Sequence, residues 1–164
     1  MTPELVLDTA RLRVRPPGPD AARELQAVLD AAPAYHVLTE GAPARAGAGA
    51  DLLADAEVDP ERVLRLLWPR SGGPAVGLVD LQLHWPDPGA VHVRLLLLRE
   101  RAQGQGLGRE VVTALAGALR EAGFAALRLS VTGENAAAHA FWERMGFGAV
   151  DWLEDGVTVY ERVL

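Results

Sequence analysis

The chain has 164 residues, 49% of them apolar, a formal net charge of −6 and no cysteine. That length builds one substantial core, so residues 1–164 are expected to form a single domain; the missing thiols exclude disulfides, thiolate metal sites and cysteine nucleophiles, and no metal is expected. The acidic balance argues against nucleic acid or an anionic membrane as partner, no run reaches the roughly 18 apolar residues of a span, and the start MTPELVLDTARL lacks the basic and apolar segments of a secretory signal, so a cytoplasmic location is expected.

In chain order, RLRVR from Arg11 alternates arginine with Leu12 and Val14 and reads as a half-buried strand, stopped by PPGP. Asp20 then caps a helix whose Leu25, Val28, Leu29 and Ala32 share one face and which ends near Pro33. Residues 33–50 hold Pro and Gly without a clean period and read as a long loop or a poorly capped helix, followed by a helical turn around Asp51–Ala56. Strands are expected at Val63–Trp68, Ala75–His84 and Ala90–Leu98, joined by the turns PRSGGP and WPDPG into an antiparallel meander. A helix over 109–122 places Val111, Leu115, Ala118, Leu119 and Ala122 on one stripe and stops at Gly123. LRLSV alternates as a strand, a helix covers about 136–145 until Gly146, and the last residues make a hairpin around EDG. A terminal hairpin with an exposed edge is a place where two copies can pair as a homodimer.

Two stretches stand out from this framework. The chain has no lysine and no isoleucine, and Asn135 is its only asparagine, a skew that a GC-rich coding sequence explains. Against that skew, NAAAHAFWERMGF holds Asn135, Phe141, Met145 and Phe147, four of the eight Asn, Phe, Tyr and Met residues. The other stretch, RAQGQGLGREVV, puts glycine at 104, 106 and 108 between an apolar strand and a helix. A strand-to-helix loop leaves backbone N–H groups unpaired in front of the positive end of the helix dipole, and glycine lets the backbone approach a phosphate closely. A plain tight turn needs only one glycine. A Walker A loop requires a lysine that the chain lacks, and the spacing G-x-G-x-G departs from the G-x-G-x-x-G of dinucleotide folds.

Gln103 to Gly108, QGQGLG, resembles the Q/R-x-x-G-x-G/A acetyl-CoA signature of the GNAT superfamily of N-acetyltransferases, and Asn135, Ala138, Phe141, Gly146 and Phe147 match its N-x-x-A-x-x-F-Y-x-x-x-G-F segment. The order of elements is similar over nearly the whole chain. The resemblance implies a GNAT-like α/β fold with a mixed sheet, largely antiparallel N-terminal strands, a splayed central pair and a C-terminal hairpin. It implies acetyl-CoA as cosubstrate and a small-molecule or peptide amine as acceptor. Backbone groups of Gln103, Gly104, Gln105, Gly106, Leu107 and Gly108 would hold the pyrophosphate. Leu96, Leu97 and Leu98 would pair with the pantetheine arm and offer an N–H to the thioester oxygen. Asn135 would bind the same arm or serve as a helix N-cap, and Phe141 belongs to the same motif.

Acetyl transfer to an amine with a pKa near roughly 10 requires that its proton be removed. Many family members carry a tyrosine after the motif phenylalanine to protonate the departing sulfur; here Trp142 stands there, and an indole cannot give up its proton. Trp142 is thus either a hydrogen-bond donor or core packing, and Tyr35, in the irregular segment where this family forms its acceptor pocket, is the candidate replacement acid. His92, on the strand that should hold the thioester, is the candidate base or else a half-buried structural residue. Glu40, His84 and Asp87, with Tyr35, are candidate acceptor contacts. His139 reads as solvated, and Arg99 and Arg101 either meet the 3′-phosphate or are solvated charges. Trp142 and the lack of an obvious base leave open a domain that binds acetyl-CoA without turning it over.

Overall fold

The computed structural model describes residues 2–164. A single eight-stranded sheet runs β1-β2-β3-β4-β5-β6-β8-β7. A two-residue strand, β1 (Leu7–Asp8), precedes the expected β2 (Leu12–Arg15) and pairs with it. The meander follows as β3 (Arg62–Pro69), β4 (Gly77–Leu83) and β5 (Ala90–Leu98), all antiparallel. β6 (Ala126–Thr132) joins β5 in parallel, and β8 (Val157–Val163) inserts between β6 and β7 (Gly148–Trp152), leaving β7 as an exposed edge.

Alternation decides which residue meets which layer, because opposite partners in a ladder share a face. Val63, Leu81, Val91, Leu127 and Leu129 meet α4 (Leu107–Glu121) and α5 (Ala136–Arg144) in one core that includes Val111, Leu115, Leu119 and Trp142. Leu64, Leu66, Leu78 and Leu97 meet the first helices in a second core built on Leu25, Val28 and Leu29. Burying each leucine stabilises by roughly 1.5–3 kcal/mol, so β4, covered on both faces, anchors the sheet.

The segment 33–50 is more ordered than its composition suggests. Beyond α1 (Ala21–Asp30), α2 covers Pro33–Glu40, with proline at its start where no N–H is lost and Gly41 at φ 78° as its left-handed stop. α3 (Ala48–Val58) is longer than the expected turn; Gly49 lets it lie on α1, since a Cβ there would sit 2.6 Å from the Ala22 carbonyl and the Gln26 N–H. The helix expected from 109 begins at Leu107, because Gly106 at φ 82° already closes its first turn. Among the described residues, no helix is long and apolar enough to cross a membrane.

Candidate active site

β5 and β6 pair only from Ala90–Ala126 to His92–Arg128 and then part. β4 continues to pair with β5 to Leu98, and β8 with β6 to Thr132. Each inner strand therefore keeps one edge of backbone N–H and C=O groups without a strand partner, Val93–Leu98 on one side and Leu129–Thr132 on the other. The ladder to β4 slips where Leu95 faces Asp80 and Val93 faces Leu81, so Arg94 is the inserted residue of a bulge. Leu97 packs into the α1 side of the core while Leu96 and Leu98 lean on the other side, holding this edge in place. Across the cleft, the Thr132 hydroxyl is buried without a partner.

The glycine loop closes the wide end of the cleft. Gly104 and Gly106 adopt φ 74° and 82°, which only glycine takes without strain. Gly108 has a different reason: a Cβ there would meet the Phe141 ring at 3.2 Å, so the second motif packs on the first. Both glutamines of the loop fold back on their own segment, Gln103 Nε2 donating to the Leu98 carbonyl at 2.9 Å and Gln105 Nε2 to the Arg101 carbonyl at 2.8 Å. Arg11 donates to the Gln105 carbonyl at 2.8 Å and pairs with Glu110, bracing the loop from the β1–β2 turn. The backbone N–H groups from Gly104 through Arg109 donate to no protein acceptor among the described residues. Consecutive unsatisfied donors at a helix N-terminus form an anion site.

Asn135 caps α5, its Oδ1 accepting the Ala138 N–H at 3.2 Å; its amide NH₂ has no protein partner among the described residues. Trp142 is buried, edge-on to Phe141 and Phe147 at 4.9 and 5.1 Å between centroids. His139, expected in solvent, is instead half-buried: its Nε2 lies 2.8 Å from the Thr132 carbonyl and its Nδ1 2.7 Å from the Tyr160 hydroxyl, which donates to Glu143 at 3.1 Å. Burial and Glu143 hold the Tyr160 phenol above its ordinary pKa.

On the opposite face of the sheet, registered partners form one polar row across five strands: Arg62, Gln82, His92, Arg128 and Glu161. The row crosses β5 and β6 at their last paired position. Asp80, 1% exposed, takes a bidentate fork from Arg62 at 2.7 and 2.6 Å. Removing such a carboxylate from water costs several kcal/mol, which the fork offsets. Beside it, His92 has its Nδ1 buried without a partner and its ring 4.7 Å from that of Trp85. Burial first, then the Arg94 and Arg128 charges, pull its pKa below 6.5, with Asp80 opposing, so the imidazole is neutral at pH 7.

The other expected acceptor contacts lie apart from this row. Tyr35 and Glu40 are on α2; Tyr35 packs against the α1 core, where burial and Glu40 raise its pKa. α2 is tied to the cleft by Glu100, whose N–H donates to the Ala31 carbonyl and whose carboxylate accepts the Ala34 N–H, both at 2.9 Å. His84 and Asp87 bond within their own turn, to the Pro88 carbonyl and the Gly89 N–H. Arg99 donates to the Ala75 carbonyl at 2.6 Å. Sequence reasoning misses Arg62, Asp80, Arg94 and Arg128; the signal for Asp80 and Arg94 is a lone charge within an apolar run, VGLVDLQL and VHVRLLLL.

A mixed sheet that splays beneath a glycine-rich anion loop is the architecture of acyl-CoA-type acetyltransferase folds. The acetyltransferase (GNAT) family model matches residues 25–147, and the chain belongs to that family. A solved acetyltransferase from Thermus thermophilus is 33% identical with a TM-score of 0.84, covering 96% of this chain and 100% of that one. The PaiA N-acetyltransferase of Thermoplasma acidophilum, solved in complex with coenzyme A, shares the fold at 12% identity and a TM-score of 0.72, over 93% of this chain and 99% of that one. Mycothiol acetyltransferases of Beutenbergia cavernae and Rhodococcus erythropolis are 36% and 33% identical over 52% and 58% of this chain. The aligned stretch is 29% of the length of each of these curated relatives.

Proposed function

We propose that this protein is an acetyl-CoA-dependent N-acetyltransferase that acts on a primary amine of a small molecule or peptide. The observation that carries the reading is the run of free N–H groups from Gly104 through Arg109 directly above the splay. A pyrophosphate fits these donors, and the unpaired edges of β5 and β6, with the Asn135 amide and the buried Thr132 hydroxyl, fit the amide groups of a pantetheine arm. When bound, acetyl-CoA supplies an acetyl group activated as a thioester.

The chain's own groups do the rest. The β5 edge around Leu96–Leu98 offers backbone N–H groups to a developing oxyanion. His92, its pKa held below the ordinary value by burial and by the Arg94 and Arg128 charges, takes the proton that the amine must lose. A thiol with a pKa of about 8.5 leaves without an acid, so Trp142 acts here as packing that holds Phe141 on Gly108; Tyr35 is the phenol to test if departure is assisted. The names of the curated relatives support acetyl transfer. A degenerate domain that only binds acetyl-CoA is the second reading, favoured by the buried indole where the family's tyrosine stands. Acetyl-CoA at a hundredfold excess over its Kd should raise unfolding stability by about 2.7 kcal/mol; no shift at all would defeat both readings.

A further inference from the structure

Two guanidinium groups beside the splay keep hydrogen-bond donors to spare among the described residues, each held only by a long ion pair. Arg94 Nε lies 3.6 Å from Asp80 Oδ2, outside hydrogen-bond range, and that oxygen already accepts from Arg62. Arg128 Nε lies 3.4 Å from Glu161 Oε2 without a hydrogen bond in place, although its side chain is only 24% exposed. Neither residue donates a side-chain hydrogen bond among the described residues, whereas Arg62, Arg65 and Arg99 all donate to carboxylates or carbonyls. Both flank His92 at the apex of the cleft, one on the bulge of β5 and one opposite it on β6. In a chain of net charge −6, this corner still sets Arg62, Arg94 and Arg128 against only Asp80 and Glu161.

We propose that Arg94 and Arg128 form the acceptor subsite and that the acceptor carries a carboxylate close to its amino group, as an amino acid does. This inference rests on the acetyltransferase reading above. Guanidinium forks match a carboxylate in charge and geometry, and two such groups beside a bound ammonium also favour its neutral, nucleophilic form. A simple diamine would bring these guanidinium groups no carboxylate, and Asp80 and Glu161 are each already paired with arginine. Trp85, 52% exposed and edge-on to His92, walls the same corner with apolar surface for the remainder of the acceptor.

The test pairs amines that differ only by the carboxylate: alanine with ethylamine, and phenylalanine with phenethylamine. The amino acid should be acetylated with kcat/KM at least about tenfold higher in each pair, and Arg94→Gln or Arg128→Gln should remove that advantage while Arg120→Gln keeps it. A second readout needs no acetyl-CoA: calorimetry should show N-acetylalanine binding at least about tenfold tighter than N-ethylacetamide, a difference lost in Arg94→Gln. Equal binding of the two amides, or a carboxylate preference that survives both substitutions, overturns the proposal. Failure of the wild type to bind acetyl-CoA overturns the acetyltransferase reading instead, and the amide pair still decides the subsite.

Discussion

The two ends of the cleft are built on different principles. The wide end is backbone: the loop turns through two left-handed glycines, Gly104 and Gly106, and the N–H groups from Gly104 through Arg109 have no protein acceptor among the described residues. The narrow end is side chain: Arg62, Gln82, His92, Arg128 and Glu161 come from five strands and meet only because the register of four ladders aligns them. Recognition of an invariant group such as a pyrophosphate needs no side-chain chemistry, so it is written locally. The acceptor selection proposed here depends on charges set by a sheet-wide alignment, and a one-residue slip would turn every one of them to the other face.

That contrast can be broken most forcefully at Asp80. Asp80→Ala leaves Arg62 buried without its fork and should destabilise the fold by about 3–5 kcal/mol in denaturant unfolding. His92→Gln removes the proposed proton acceptor but not the polar surface; kcat/KM should fall by about 10²-fold or more with acetyl-CoA affinity unchanged. Gly106→Val should do the reverse, abolishing the acetyl-CoA stabilisation of about 2.7 kcal/mol at hundredfold excess while circular dichroism still reports a folded apo protein. Asn135→Ala should cost about 1 kcal/mol of stability through the lost cap. Asn135→Asp keeps the cap, so a loss of acetyl-CoA affinity in that variant isolates a ligand role for the amide.

The smallest expected effect is a shift of a pH profile. Because His92 is held below its ordinary 6.5, kcat/KM should stay level as pH falls through that value and decline only as the lowered pKa is reached. Arg94→Gln removes one of the charges that lower it, so the acid limb should move upward, toward 6.5. A limb that stays in place would assign the titration to another group.

The wide end is legible in sequence because its causes are local. Glycine spacing, an apolar strand before and an amphipathic stripe after are enough to place the glycine loop, and Ala90–Leu98 reads as the strand it is. Residues 33–50 are obscure because α2 and α3 owe their order to contacts distant in sequence, Glu100 on Ala34 and Gln26 on Gly49. His92 can be named as a candidate, but not its surroundings: the bulge at Arg94 and the pairing with Arg128 are tertiary facts. Phe141 illustrates both cases, since its motif is visible in sequence while its contact with Gly108, which explains the third glycine, is not.

The central claim, that the cleft transfers acetyl groups as well as holding their donor, is tested most directly by following free CoA release from acetyl-CoA across a broad panel of amines, with acetyl-CoA binding measured on the same preparation. The account predicts amine-dependent release of CoA matched one for one by acetylated amine, above the rate of hydrolysis without acceptor. Tight acetyl-CoA binding with no acceleration by any amine would contradict it and leave a binding domain in place of an enzyme.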